Sequence, residues 1–279
     1  MMNLFLKLSS VLLITLIMFS TESYAADKAI TDKDTYITNI NNINLTVKTT
    51  KNFEKVKELI ETKKPKTVFI EQWVLLDPQN TNLLKKVHGL TKKNDARLYL
   101  VVGKNSWINQ FGITQVLEQI KEYGKHIDGI VLRIEPNKIN VWEKHGQFNK
   151  AKLLSQMLDT YNAIHKETKK LKLDFVAEFP FWLADFRGPV KSFPQDACNY
   201  TDKIAFLIDE EEKLDALDDL KIEWNDVTCR YYINLTKRAN DKTNEKINEI
   251  LDKFKTKLSL YSNFHGYIVD SDSIEKITN

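Results

Sequence analysis

The feature that most constrains the fold of this 279-residue chain is a regular alternation of short β-rich runs with helical patterns. The alternation continues from residue 43 to the end, and the runs rich in apolar and β-branched residues are typical of strands. The predicted strands are 44–49, 66–74, 96–103, 128–136, 172–180, 203–209, 229–235 and 264–271. Apolar residues recur with a helical period in the segments between them, as in 52–64, 112–125 and 150–170.

Eight strand–helix units in a chain of this length predict a single (β/α)8 barrel over residues 43–279. That fold has the same count and order of elements and a similar length. A doubly wound open sheet is the alternative, but no glycine-rich phosphate-binding loop follows any of the predicted strands. Active sites of such barrels lie at the C-terminal ends of the strands. The residues that end the strands are therefore the candidates for function.

The first 25 residues have the pattern of a secretory signal peptide. Lys7 precedes the apolar run LSSVLLITLIMF, and Ser23-Tyr24-Ala25 forms a small-x-small cleavage motif. The apolar run is short for a membrane span of ~20 residues. We expect residues 26–42 to be a polar lead-in and the protein to be exported to the periplasm or the extracellular space, without stable membrane insertion. A retained N-terminal anchor is the alternative.

Charge and cysteine content narrow the range of partners. The formal net charge is only +3, and the lysines are spread along helical patterns, which is typical of solvated faces rather than of a nucleic-acid surface. Two cysteines and five histidines show no zinc-binding spacing, so neither a metal nor a cofactor is expected. In an oxidising compartment Cys198 and Cys229 would form a disulfide, and two buried free thiols are the alternative.

Acidic residues and tryptophans are concentrated where the predicted strands end. The acids are Glu71, Glu135, Glu178, Asp209 and Asp270, and the tryptophans are Trp73, Trp107, Trp142 and Trp182. Indole faces stack on the C–H surfaces of sugars, and carboxylates bind sugar hydroxyl groups. This pattern predicts a sugar-binding cleft, to which Asn105 and Asn234 would contribute at the ends of the third and seventh strands. Tryptophans that cover the core and acids that cap helices are the alternative.

The alternation of side chains along a strand places Arg133 and Glu135 on the inner face of the fourth strand and Glu178 on that of the fifth. Two carboxylates that flank a cleft are the minimum for glycoside hydrolysis, one protonated and one ionised. We expect Glu135 to be the acid, because the apolar strand and Pro136 favour a raised pKa. Glu178 would be the ionised partner, with Asp209 as its substitute.

Arg133 is a buried charge within this inner face, and such a charge needs a partner. The candidates are Glu135, Glu178 and Asp174, which share the interior of the predicted barrel. We expect Arg133 to keep its partner ionised by lowering that partner's pKa.

The segment DGIVLRIE, residues 128–135, resembles the D-G-x-D-x-D-x-E motif of family 18 glycoside hydrolases, which comprise chitinases and related endo-N-acetylglucosaminidases. Asp128, Gly129 and Glu135 match the motif, whereas Val131 and Arg133 occupy its two intermediate Asp positions. The segments 202–209 and 264–269 are similar to the sixth and last strands of that family. The resemblance implies a (β/α)8 barrel with Glu135 as its proton donor.

Two further motifs resemble uncharacterised bacterial barrels of the glycosidase type. These carry a hydrophobic-x-E-P sequence on strand four and P-F-W after strand five, which correspond here to 134–136 and 180–182.

The leading hypothesis is an exported carbohydrate-active protein that hydrolyses a glycosidic bond. A non-catalytic glycan-binding protein or degenerate glycosidase is the alternative, because Arg133 replaces an Asp of the family 18 motif and Asn234, not an acid, ends the seventh strand. A third hypothesis is an exported barrel with deacetylase or esterase chemistry. Neither a G-x-S-x-G motif nor a histidine-rich metal-binding set supports it.

Overall fold

Eight parallel strands close into a barrel in the computed structural model, and each strand pairs with the next one along the chain. The structure describes residues 42–77, 80, 82–140, 142, 147–185, 192–208, 227–235, 262–272 and 274. Pairing of β8 with β1 completes the barrel, which confirms the predicted (β/α)8 architecture and excludes the open sheet. The strands are β1 Asn42–Leu45, β2 Thr67–Glu71, β3 Arg97–Val102, β4 Gly129–Arg133, β5 Asp174–Pro180, β6 Lys203–Leu207, β7 Arg230–Asn234 and β8 Phe264–Asp270.

Helices follow the strands and cover the outside of the barrel. They are α1 Val47–Thr50, α2 Phe53–Lys63, α3 Gln72–Leu75, α4 Leu83–Lys93, α5 Gln110–Tyr123, α6 Gln147–Lys170 and α7 Phe193–Cys198, with 3-10 helices at Gly124–His126, Pro136–Lys138 and Phe181–Asp185. Asparagine caps start two of them. The Oδ1 atom of Asn52 accepts from the backbone N of Glu54 at 3.1 Å, and that of Asn109 accepts from Gly112 N at 3.2 Å. Each bond satisfies a backbone donor that a helix start leaves unpaired.

The first strand differs from its prediction. It covers Asn42–Leu45 rather than 44–49, and the β-branched residues after it form α1. Local hydrogen bonds explain the change, because Thr46 Oγ1 accepts from Thr49 N at 3.3 Å and Thr46 O accepts from Thr50 N at 2.9 Å. Such side-chain bonds start a helical turn and override strand propensity.

Side chains alternate between two apolar layers, as the period of two predicts. Ile130, Leu132 and Ile134 belong to the layer between the strands and the helices. A smaller cluster fills the barrel interior and consists of Phe69, Tyr99, Val101, Val131, Val176, Ala205, Tyr232 and Ile268. Val131 of β4 therefore points inward, on the face that the alternation predicted for Arg133, and Tyr99 and Tyr232 fill the interior. We call this interior cluster the plug. The polar residues on the inner faces lie above it, toward the C-terminal ends of the strands, and below it, toward their N-terminal ends.

The polar cluster below the plug is centred on Asp174 at the start of β5. Lys203 Nζ and Arg97 Nη1 contact its Oδ2 atom at 2.6 and 2.5 Å, and the Tyr99 hydroxyl donates to the same atom. Burial opposes the charge of Asp174, but the hydrogen bonds from Lys203 and Tyr99 keep its pKa below the usual value. Arg133 is not among its partners, so the proposed pairing of Arg133 with Asp174 is wrong. The N-terminal end of a barrel is where such clusters stabilise the fold.

Cys198 and Cys229 form a disulfide between the end of α7 and the residue before β7, with a Cα–Cα distance of 5.2 Å. The second alternative of the sequence analysis, two free thiols, is therefore excluded. Separately, none of the helices within the described ranges has the length and apolar character needed to cross a membrane.

Candidate active site

Arg133 joins two carboxylates at the C-terminal end of the barrel. Its Nη1 atom lies 2.6 Å from Oε1 of Glu71, while Nε and Nη2 donate to the two oxygens of Glu178. The three residues end β4 and β2 and lie near the end of β5, and all of them are largely buried. The buried arginine is thus paired, with Glu178 as one of the predicted partners and Glu71 as a partner that the sequence analysis missed. Neither carboxylate of this pair is Glu135.

Burial dominates the electrostatics of Glu178, which is only 1% exposed. It raises the pKa of Glu178 above the ordinary value, although the charge and hydrogen bonds of Arg133 and a hydrogen bond from Asn234 act in the opposite direction. Arg133 therefore acts to lower the pKa of Glu178, as expected, but the net shift is upward because burial has the larger effect. One guanidinium shared by two carboxylates does not offset the loss of solvation.

Arg133 itself stays protonated. Burial acts to lower its pKa, but Glu178 and Glu71 together raise it above the usual value. Opposite charges at hydrogen-bonding distance favour the charged form of a group. Arg133 is therefore a fixed positive charge between Glu71 and Glu178 at the C-terminal end of the barrel.

Asp270 ends β8 on the inner face of the barrel, one alternation above Ile268. Asn44 Nδ2 donates to its Oδ1 atom at 2.8 Å from the neighbouring strand β1. Burial raises the pKa of Asp270 to about 7. The hydrogen bond from Asn44 and the charge of Arg133 act to lower this pKa, and the charges of Glu71 and Asp272 act to raise it. Asp270 can therefore hold a proton near neutral pH. The sequence predicted a substrate-binding role for Asp270 but not its raised pKa, because the burial comes from the closure of β8 on β1.

Glu135 lies two residues beyond β4, where it precedes the 3-10 helix Pro136–Lys138. The side chain of Asn105 accepts a hydrogen bond from the backbone N of Glu135 at 3.0 Å, which fixes the start of this turn. The Glu135 carboxylate forms an ion pair with Lys138, and the residue is 4% exposed. The predicted acid is thus a buried carboxylate with a cationic neighbour one turn away.

A glycine allows the loop after β3 to approach β4 closely. Gly103 has φ 141°, a conformation that other residues rarely adopt. A Cβ atom at this position would lie 2.1 Å from the carbonyl oxygen of Arg133. This close approach brings the following segment, with Asn105, onto the end of β4.

The four predicted tryptophans divide into two classes. Trp73 on α3 is 57% exposed, directly after Glu71 and Gln72 at the end of β2. Trp107 and Trp142 are only 3% and 6% exposed and belong to the outer apolar layer. Trp182 is partly buried and packs against Trp142, with 5.4 Å between the ring centroids. The indole surface open to a ligand is therefore mainly that of Trp73, while Trp107 and Trp142 act in packing.

The remaining predicted residues complete this end of the barrel. Asn234 ends β7 and is 1% exposed, with its side chain hydrogen-bonded to Glu178. Asp209 lies outside the described residues. Within the described ranges no cluster of three or more His, Cys, Asp or Glu side chains is arranged to hold a metal ion.

Comparison with models of known protein families gives no match, and neither does comparison with curated protein sequences. Solved structures with a similar fold include a 3-keto-D-glucoside 4-epimerase from E. coli, which is 14% identical with a TM-score of 0.50 over 85% of this chain and 96% of that chain. A protein from Bacteroides thetaiotaomicron described as a candidate α-L-fucosidase is 12% identical, with a TM-score of 0.50 over 83% and 87%. The C-terminal domain of a candidate chitinase from Desulfitobacterium hafniense is 9% identical, with a TM-score of 0.49 over 77% and 76%. Such low identity shows the barrel fold alone.

Proposed function

We propose that this protein is an exported carbohydrate-active barrel that hydrolyses a glycosidic bond at the C-terminal ends of its strands. The observation that carries the proposal is the set of inner-face carboxylates Glu71, Glu178 and Asp270, held around Arg133 and Asn44 at one end of the barrel. Hydrolysis of this kind needs one protonated and one ionised carboxyl group. The carboxylates of this set differ in their partners, which favours different protonation states.

The exposed face of Trp73 supports a sugar as the ligand, because it lies next in the chain to the carboxylate cluster at the end of β2. An exposed indole offers a flat apolar surface for the C–H face of a sugar ring. Two of the similar structures are named for sugar chemistry, a keto-glucoside epimerase and a candidate fucosidase. These names agree with a sugar ligand and do not select hydrolysis.

Export is supported by two independent features. The first is the signal-peptide pattern of residues 1–25, and the second is the disulfide between Cys198 and Cys229. Structural disulfides persist in the periplasm and outside the cell and are rare in reducing compartments. Expression with the native N-terminus, followed by fractionation and mass spectrometry of the N-terminal peptide, tests this part. A mature chain that begins at Ala26 supports it, and an intact N-terminus in the cytoplasm contradicts it.

The test of hydrolysis is the release of new reducing ends from a panel of glycans that includes peptidoglycan and chitin oligomers. The protein without residues 1–25 is compared with Glu178→Gln, which keeps the shape of the side chain and removes its charge. Release by the parent and a loss of at least tenfold in the variant support the proposal. Absence of release by the folded parent contradicts hydrolysis, and equal release by both proteins would exclude Glu178 from the reaction.

Non-catalytic glycan binding is the second candidate function, and a specific observation favours it. Every carboxylate oxygen of Glu178 is engaged by Arg133, and Glu135 is paired with Lys138, as in a structural rather than a reactive network. Calorimetric titration of the same glycans separates the two functions. Saturable binding that Trp73→Ala weakens, without any release of reducing ends, would establish the binding function.

A further inference from the structure

We propose that the working pair of this site is Asp270 and Glu71, with Asp270 as the proton donor and Glu71 as the base that activates water. The proposal rests on the proposed glycosidase function and replaces the pair expected from the sequence, Glu135 and Glu178. Arg133 and Glu178 then act as positioning residues for Glu71.

The proposed proton donor differs from the other inner-face carboxylates in that it forms no ion pair with a described lysine or arginine. Five carboxylates of the described residues lie within two residues of a strand's C-terminal end, and they are Glu71, Glu135, Glu178, Asp270 and Asp272. Asp272 follows β8, where its Oδ1 atom accepts from the Thr49 hydroxyl, whereas Asp270 lies on the inner face of the barrel. The first three contact a positive charge, from Arg133 for Glu71 and Glu178 and from Lys138 for Glu135. Among the described residues no lysine or arginine forms an ion pair with Asp270, whose Oδ1 accepts from Asn44. A carboxylate beside a fixed cation is a poor proton donor, so the acid role falls to Asp270.

The electrostatics of Asp270 agree with this geometry. Burial and the charge of Glu71 raise its pKa, and the resulting value of about 7 suits a group that must give up and regain a proton near neutral pH. A single hydrogen bond from Asn44 leaves the Oδ2 atom without a hydrogen bond from any described residue. This oxygen can carry the proton and face a ligand.

Glu71 fits the role of the base better than Glu178 does. Glu178 is 1% exposed, and both of its oxygens accept from Arg133. The side chain of Glu71 is 13% exposed, more than that of Glu178, and Arg133 contacts its Oε1 atom. Its Oε2 atom receives no hydrogen bond from the described part of the chain, so it is open to a water molecule. The guanidinium group holds the Glu71 carboxylate in place through its Oε1 atom.

The topology places the two carboxyl groups on either side of β1. Asn44 of β1 pairs with Asp270 of β8 and with Phe69 of β2, two residues before Glu71. Adjacent strands lie about 4.8 Å apart, so two strand ends with one strand between them are separated by roughly 10 Å along the wall and by less across the curved barrel. Carboxyl groups of inverting glycosidases lie about 6.5–9.5 Å apart, which leaves room for a water molecule. This geometry favours an inverting reaction.

The reaction then balances without a cofactor. The Asp270 carboxyl group gives its proton to the glycosidic oxygen while the bond from that oxygen to the anomeric carbon breaks, and the oxygen keeps the electron pair. The water oxygen forms a new bond to the anomeric carbon, and Glu71 takes the proton that water loses. Solvent then returns a proton to Asp270 and removes one from Glu71. The products are an alcohol and a sugar of inverted anomeric configuration.

The experiment compares a glycan with a synthetic aryl glycoside of the same sugar that has a dinitrophenyl leaving group. An activated leaving group departs without a proton, so it does not need the acid. We expect Asp270→Asn to lose at least a hundredfold in kcat/KM on the glycan and less than tenfold on the aryl glycoside. Glu71→Gln should lose at least a hundredfold on both substrates. Glu54→Gln, which changes an exposed carboxylate on α2, is the control and should stay within threefold of the parent on both substrates. Glu135→Gln is measured beside it as the competing assignment of the acid.

Each result decides between the assignments. A loss for Glu135→Gln on the glycan alone, with Asp270→Asn close to the parent, would overturn the pair and restore Glu135 as the acid while hydrolysis itself stands. Retention of the anomeric configuration by NMR would overturn Glu71 as a water-activating base. Absence of release by the parent would overturn the proposed function and the pair with it. Circular dichroism of every variant separates these results from a failure to fold.

A second variant tests the acid without removing it. Asn44→Ala deletes the hydrogen bond to the charged form of Asp270, which would raise the pH at which the acid loses its proton. We expect the basic limb of the kcat/KM profile on the glycan to move upward by at least half a pH unit, with kcat at low pH within threefold of the parent. An unchanged basic limb would contradict Asp270 as the titrating acid.

Discussion

Arg133 Nη1 and Glu71 Oε1 lie 2.6 Å apart, so an ion pair connects the ends of β4 and β2 although β3 lies between them. The same guanidinium group binds Glu178 on the adjacent strand β5. One side chain therefore ties three strand ends together at the mouth of the barrel. This arrangement makes the charged layer part of the fold as well as part of the candidate site.

Replacing Arg133 is expected to destabilise the protein strongly. Arg133→Met would leave Glu71 and the fully buried Glu178 without their cation, and breaking a buried pair in this way costs about 3–5 kcal/mol. Urea unfolding measures the loss. Arg97→Met is the matched control, because this arginine is 44% exposed at the side chain and Asp174 keeps its bond to Lys203, so about 1 kcal/mol or less is expected. Equal losses for the two variants would contradict the structural role of Arg133.

Asp270 is expected to make stability depend on pH. Its folded-state pKa of about 7 lies above the ordinary value, so the folded state favours the neutral carboxyl group. The stability that this group contributes is complete below about pH 4 and is lost as the pH rises to about 7. Asp270→Asn removes the loss, and it should therefore be more stable than the parent at pH 8 by about 2 kcal/mol. Urea unfolding at pH 5 and pH 8 measures the difference in unfolding free energy between Asp270→Asn and the parent at each pH. The same difference at both pH values would contradict the raised pKa of Asp270.

We expect Trp73 to contribute to ligand binding and Trp142 to contribute to stability. Trp73→Ala removes an exposed side chain and should weaken glycan binding about tenfold, with less than about 0.5 kcal/mol lost in stability. Trp142→Ala removes a buried one from the outer apolar layer and should cost about 3–5 kcal/mol. Calorimetric titration and thermal unfolding of both variants test the division. Leu171→Ala controls for loss of exposed apolar surface away from the strand ends, and weaker binding in that variant would argue against a specific role of Trp73.

Reduction of the disulfide is expected to lower stability. Cys198 and Cys229 are 31 residues apart in the chain, and closing a loop of this size stabilises a fold by about 3–4 kcal/mol in the chain-entropy model. Unfolding with and without dithiothreitol measures the difference in the parent. The Cys198→Ser/Cys229→Ser double variant should match the reduced parent and should not respond to dithiothreitol. No change on reduction of the parent would mean that the bond does not constrain the unfolded chain.

Replacement of Gly103 and of Gly89 by alanine should change the stability of the protein in opposite directions. Gly103→Ala would place a Cβ atom against the carbonyl of Arg133 at a positive φ, and we expect a loss of more than about 2 kcal/mol. Gly89 lies within α4 with no atom near the position of a Cβ, so Gly89→Ala should stabilise the protein by about 0.5–1 kcal/mol. Thermal unfolding of both variants decides, and similar effects at the two positions would contradict the close approach of the β3 loop to β4.

The sequence was sufficient to predict the barrel, because eight apolar runs and the helical patterns between them admit few other arrangements. The inner face of β4 also followed from its period of two, since Val131 needs only the strand for its direction. The ion pair between Arg133 and Glu71 could not be predicted from the sequence, because it connects two strands that are not adjacent in the barrel. Burial of Trp142 against Trp182 depends on how a loop folds back, which no local pattern encodes. The start of β1 was missed because it begins with Asn42, a polar residue whose side chain donates to Tyr267 O only once β8 has closed on β1.

The pKa shifts of the carboxylates were the property that the sequence predicted least well. Burial of Glu178 outweighs the effect of Arg133, and the sequence pattern suggested the reverse order. Asp270 acquires its environment only when β8 closes on β1, more than 220 positions away in the chain. Long-range closure of this kind sets the desolvation that decides a pKa.

The most direct test of the central claim is hydrolysis of a glycan in water enriched with oxygen-18, followed by mass spectrometry of the new chain ends. Our account predicts that the protein without residues 1–25 releases fragments with one heavy oxygen at the new anomeric carbon, and that Glu71→Gln abolishes this incorporation. Saturable binding of the same glycan with no labelled fragment would contradict hydrolysis and identify the barrel as a glycan-binding protein.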